Sequence, residues 1–111
     1  MVEDEPLLAF DYQDEFEGHG AFASVALTLQ EAFDALKLRR PDFAVLDVNL
    51  GSEVSWPVAI QLSRSQIPFV LVSGFAMASN IPQGVRPLAC IEKPIAAAAI
   101  TKCITALMSP F

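Results

Sequence analysis

Basic residues are scarce in this chain: seven Lys and Arg stand against thirteen Asp and Glu, a formal net charge of -6. Phosphate backbones reward clustered cations, so nucleic acid is not an expected partner, and the one adjacent basic pair, Arg39-Arg40, reads as a solvated helix end. Cysteine is equally sparse. Cys90 and Cys103 are too few for a disulfide framework and are expected as buried thiols of a cytosolic protein. The single histidine, His19, falls in a Gly-His-Gly turn, a poor place for catalysis. No apolar run is long enough to cross a bilayer, and the acidic start is unlike the basic opening of a secretory signal. No glycine-rich phosphate loop follows any strand pattern, which weighs against nucleotide binding. Repeats, low-complexity tracts and linkers are missing too. The expectation is one soluble, cytoplasmic domain over residues 1–111, with no membrane segment and no effector module.

What is present is apolar: 53% hydrophobic against 18% charged residues, enough for a packed core. Pro6 opens a helix to about Glu17, ended by Gly18-His19-Gly20. Ala21 to Ala26 reads as a short strand of small residues. Thr28 and Glu31 match a capping box, and the helix they open carries Leu29, Ala32, Phe33 and Leu36 on one face before stopping ahead of Pro41. Phe43 to Leu46 is a continuous apolar run, as in a strand buried on both faces. Asp47 to Ser55 reads as a loop, Pro57 to Ser65 as a helix, and Ile67 to Val72 as a second buried strand. Between Gly74 and Pro87 the glycines and prolines permit at most a short helix. Leu88 to Ile91 is a last strand, and Ile95 to Met108 an apolar helix able to offer a homodimer or partner contact as well as core. Strands alternating with helices imply βαβ units and a parallel sheet with right-handed crossovers.

Polar groups end the apolar runs. Glu3 and Asp4 follow the first apolar residues, Asp47 ends one strand, Ser73 ends the next, and Lys93 follows the last. In an open parallel sheet the strand C-termini share one edge, where ligands bind. Any one of these groups has an ordinary reading as a cap, a polar strand end or a surface lysine. Together they form an acidic pocket with a hydroxyl and an ammonium beside it. Crowded carboxylates call for a hard cation, and Mg²⁺ takes few carboxylates plus waters and phosphate oxygens. Glu3, Asp4 and Asp47 are the candidate ligands, with the backbone carbonyl of Asn49. Asp47 is the candidate nucleophile for an aspartyl phosphate, with Ser73 and Lys93 holding phosphoryl oxygens. A phosphatase would want a carboxylate two residues after the nucleophile, and Asn49 stands there, so enzymes rank low.

The motifs Val2-Glu3-Asp4-Glu5-Pro6, Val45-Leu46-Asp47-Val48-Asn49-Leu50, Val72-Ser73-Gly74 and Glu92-Lys93-Pro94 resemble, in order and spacing, those of response regulator receiver domains. The resemblance covers nearly the whole chain. It implies an α/β flavodoxin-like three-layer sandwich with sheet order 2-1-3-4-5, and phosphorylation of Asp47 by a histidine kinase or phosphotransfer protein with Mg²⁺. A narrower likeness, through Pro57-Val58-Ala59 and Pro68-Phe69-Val70-Leu71-Val72-Ser73-Gly74-Phe75, is to alphaproteobacterial single-domain regulators with a Phe-x-x-Thr-Gly-Tyr type motif. Those act through a downstream protein and lack a DNA-binding output. Three departures stand out. Only Met1 and Val2 precede Glu3, so the central first strand is truncated. Either more chain precedes Met1 or a short remnant strand forms, and a chain this short is expected to have a poorly anchored Asp4, weak Mg²⁺ binding and a loosened sheet. Cys90 replaces the aromatic switch residue, leaving Phe75 as its candidate substitute beside Ser73. Phe75 also sits where a polar residue usually assists hydrolysis, which implies a long-lived phosphorylated state. A phosphorylation-independent docking module, and a receiver cut from a hybrid histidine kinase, remain alternatives.

Overall fold

The computed structural model describes residues 1–18, 20, 23–50, 53–73, 81–92 and 96–108. Among these, four helices, α1 (Pro6–Gly18), α2 (Leu29–Leu38), α3 (Trp56–Arg64) and α4 (Ala97–Met108), enclose a parallel sheet. Its strands β1 (Ala44–Asp47), β4 (Phe69–Ser73) and β5 (Ala89–Glu92) lie in the order β1-β4-β5. Strand alternation decides which helices cover which face. Leu46, Phe69 and Leu71 join Ala32, Val58, Ala59 and Leu62 in the layer formed with α2 and α3. Val45, Val70 and Val72 join Tyr12 and Ile100 in the layer formed with α1 and α4. Each fully buried Leu, Val or Phe in these layers contributes about 1.5–3 kcal/mol. The three-layer α/β architecture is as the sequence predicts.

The sheet continues beyond β1 through one residue. Val2 forms parallel bridges to Leu46 on one side and to Ala26 on the other. Its N–H donates to the Val45 carbonyl at 2.8 Å, and its carbonyl accepts from the Asp47 N–H at 2.9 Å. On the far side the Glu3 N–H donates to the Ala26 carbonyl at 3.0 Å, and the Ala26 N–H to the Met1 carbonyl at 2.9 Å. The three paired strands match the last three positions of the expected 2-1-3-4-5 order, and isolated bridges of Val2 to Ala26 and Leu46 stand where its first two would lie. A remnant first strand forms, and Asp4 follows a hydrogen-bonded Glu3 rather than a dangling end. The expected strand Ala21–Ala26 shrinks to the Ala26 bridge, and Ala21 and Phe22 lie outside the described residues. Where the remnant stops, a cleft of about 450 Å³ runs between residues 23–26 and residues 43–45.

Local chemistry accounts for the helix starts. The Glu31 N–H donates to Thr28 Oγ1 at 3.1 Å, while Glu31 Oε1 accepts from the Leu27 N–H at 3.0 Å, one residue earlier than in a capping box. Gly20 takes φ +89° after α1, a conformation that costs glycine little. Two expectations are corrected. The loop from Asp47 to Ser55 contains a small antiparallel hairpin of β2 (Asn49–Leu50) and β3 (Glu53–Val54). The cysteines are not a buried pair: Cys90 is exposed and Cys103 half-buried, because alternation along β5 turns Cys90 away from the α1 and α4 layer. The described large side chains of α4, Ile100 and Ile104, pack into that same layer.

The Met1 ammonium donates to the Ser24 carbonyl at 2.9 Å, and burial lowers its pKa to about 6 from 8.0. The folded chain then takes up this proton only near pH 6, whereas the unfolded chain does so near 8.0, so stability is complete above the higher value and declines toward the lower. Urea melts should show the unfolding free energy rising between those two pH values. N-terminal acetylation should flatten that rise; an identical slope in the acetylated protein would rule the assignment out.

Candidate metal centre

The site is built from main-chain pairing. Val2 is fixed between Ala26 and Leu46, so the next two residues, Glu3 and Asp4, emerge beside the C-terminal end of β1, where Asp47 stands. Pro6 then opens α1 at once, and the Ala9 N–H donates to the Glu5 carbonyl at 2.9 Å, closing its first turn. One carboxylate oxygen from each of Glu3, Asp4 and Asp47 falls within 4.8 Å of the others. Glu3 is 1% exposed and Asp47 2%, while Asp4 is open to solvent. Glu3 Oε2 accepts from the Glu5 N–H at 3.3 Å, and Asp47 Oδ1 from the Asn49 N–H at 3.2 Å, an Asx-type turn.

Three like charges this close repel, and burying two of them removes the water that would screen the repulsion. A divalent cation relieves it. Oxygen-only donors, with one carboxylate facing solvent, suit Mg²⁺, which takes few carboxylates and keeps waters. The donor set fits the ion that the sequence suggests.

Ser73 ends β4 on the same edge. It is 3% exposed and follows Val72, the register partner of Asp47. Ser73 pairs in turn with Glu92, the last residue of β5, which Lys93 follows. Lys93 and Phe75 lie outside the described residues. Cys90 pairs with Leu71 on the exposed side of β5, and partial burial raises its thiol pKa. The structure thus gathers Glu3, Asp4 and Asp47 and places Ser73 on their edge. Two features escaped the sequence reading. The hairpin after Asp47 has a signal, Gly51-Ser52 between Leu50 and Glu53, a dipeptide of the kind that closes two-residue hairpins. The outer face of α1 exposes Leu7 (83%) and Phe10 (50%) in line with Asp11 and Asp14, which helical spacing alone could have flagged.

A parallel α/β sandwich with an acidic cluster at its carboxyl edge falls in the open-sheet α/β class, whose ligands bind at that edge. Comparison with known proteins narrows it. SdrG from Sphingomonas melonis Fr1 is 33% identical and superposes with a TM-score of 0.75, over 97% of this chain and 92% of its own. A response regulator receiver protein from Burkholderia phymatum, 19% identical, superposes at 0.82 over 99% and 95%. The receiver domain of NtrX from Brucella abortus, also 19% identical, gives 0.83 over 99% and 97%. The chain spans only 26% of the longer NtrX chain. At that identity the latter two show the fold alone. No family model matches the chain, and no curated protein matches it by sequence. The chain belongs to the response regulator receiver family.

Replacing Asp4 by Asn should separate repulsion from coordination. Without divalent cation the variant should melt no lower than the parent, since one like charge is gone. Its Mg²⁺ affinity should fall about tenfold, roughly 1.4 kcal/mol, read from the fluorescence of Trp56, the single tryptophan. Unchanged Mg²⁺ affinity would remove Asp4 from the ligand set.

Proposed function

We propose that the domain accepts a phosphoryl group on Asp47 from a histidine kinase or histidine phosphotransfer protein. The observation that carries this reading is the convergence of Glu3, Asp4 and Asp47 carboxylate oxygens within 4.8 Å, with Asp47 at the strand end. Glu3, Asp4, Asp47 and the Asn49 carbonyl would hold Mg²⁺, which would supply charge neutralisation to the phosphoryl oxygens. A carboxylate oxygen of Asp47 forms a bond to phosphorus while the bond from phosphorus to the donor nitrogen breaks. The bonding electrons leave with that nitrogen. Ser73 donates its hydroxyl hydrogen to one phosphoryl oxygen, and the Lys93 ammonium balances the charge on another. Most of the chain's work is positioning, as in phosphoryl transfer generally.

In this reading the phosphorylated state shifts a pre-existing balance through Ser73 and Phe75, since Cys90 offers no aromatic ring to turn inward. Output from this domain is by contact with a downstream protein in the cytoplasm; the excess of acidic over basic residues supports a protein rather than a nucleic-acid contact. Exposed Leu7 and Phe10, flanked by Asp11 and Asp14, support a contact made by α1 next to the site.

Incubation with acetyl phosphate and Mg²⁺, followed by intact mass, tests the proposal. One added phosphoryl group is expected, lost with Asp47→Asn and with chelation of Mg²⁺. A parent protein that gains no mass would instead be a phosphorylation-independent docking module.

A further inference from the structure

The β2–β3 hairpin stands apart from the main sheet and directly follows Asp47. Asn49 pairs with Val54 and Leu50 with Glu53. The Ser55 N–H donates to the Val48 carbonyl at 2.9 Å, which makes Val48–Ser55 a hydrogen-bonded pair of the same ladder. Antiparallel pairs alternate between those that exchange hydrogen bonds and those that do not. Asn49–Val54 is therefore a pair without them, and Leu50–Glu53 a pair with them. It follows that the N–H and the carbonyl of Asn49 both turn away from Val54, toward one side. That side is identified by the Asn49 N–H, which donates to Asp47 Oδ1 at 3.2 Å. A carbonyl turned to that side lies on the Asp47 side of the strand, whatever side chain residue 49 carries. Val48, between Asp47 and the ladder, is held twice: its N–H donates to the Val72 carbonyl at 3.0 Å, and its own carbonyl accepts from the Ser55 N–H.

We propose that the Asn49–Val54 hairpin is the positioning device of the cation site, and that Glu53, through its main-chain pairing with Leu50, is the positioning residue that holds the Asn49 carbonyl in place. The inference rests on the proposed reading only for the identity of the ion. Glu53 and Val54 are exposed, so a change there leaves both apolar layers intact.

The test is a Mg²⁺ titration followed by Trp56 fluorescence, with amide exchange at Leu50 in the metal-free protein and a melting temperature for each variant. Glu53→Pro removes the N–H that closes the ladder and should weaken Mg²⁺ binding about tenfold while speeding Leu50 exchange. Glu53→Thr, which keeps the N–H and loses the charge, should stay within about twofold. Should Glu53→Pro fail to fold, Glu53→Gly, which loosens the strand, should weaken binding about threefold. Parental affinity in Glu53→Pro, or a Glu53→Thr loss as large as that of Glu53→Pro, would overturn the inference. So would a parent protein with no Mg²⁺ response. A parent that binds Mg²⁺ but gains no phosphoryl mass would end the proposed function and leave the hairpin result standing.

Discussion

Val2 is the joint on which the site depends. Its two main-chain hydrogen bonds to β1, and the flanking bonds of Met1 and Glu3 to Ala26, make one residue do the work of a central strand. Side chains placed by long loops wander; side chains placed one and two residues beyond a sheet pairing do not. A buried Glu3 and an exposed Asp4 follow from the same pairing, since successive residues leave a strand in opposite directions.

From that joint the site is closed in stages by short-range geometry. Asp47 terminates β1, and two residues later the Asn49 N–H returns to its carboxylate. Ser73 ends the adjacent strand one position past the partner of Asp47, and Glu92 sits opposite Ser73 on the next. Three neighbouring strands thus end in polar groups on one edge, which is how a sheet whose faces are both apolar can still present a hydrophilic crevice. The accumulation of negative charge would be a liability for a domain with nothing to bind there. For a domain that takes a hard cation, the same repulsion is released on binding and adds to affinity.

Much of this was legible in residue order. Continuous apolar runs such as Phe43 to Leu46 and Phe69 to Val72 announce strands covered on both faces, and polar residues ending each run announce a shared edge. The convergence of Glu3, Asp4 and Asp47 needed only that topology. Other features lay beyond such reading for physical reasons. A one-residue strand has no periodicity to detect, so the residues before Glu3 left open whether a short strand forms there, and what was missed is how firmly Val2 is paired. The hairpin after Asp47 has two-residue arms, too short for alternation to register against the turn signal of Gly51-Ser52. Cys90 read as a buried thiol because two cysteines are too few for a disulfide framework, yet its exposure depends on which elements cover the outer side of β5, a tertiary fact.

The division of β1 and β4 between two apolar layers carries a further meaning. Leu46 and Leu71 serve one layer, Val45 and Val70 the other, and these are register partners. A slip of β1 by one residue would turn its faces over, pressing Leu46 toward the layer of Tyr12 and Val45 toward that of Leu62, while carrying Asp47 about 3.3 Å along the edge. Hydrocarbon shape complementarity therefore proofreads the placement of a charged group it never touches. A misaligned chain fails at packing before it can fail at chemistry.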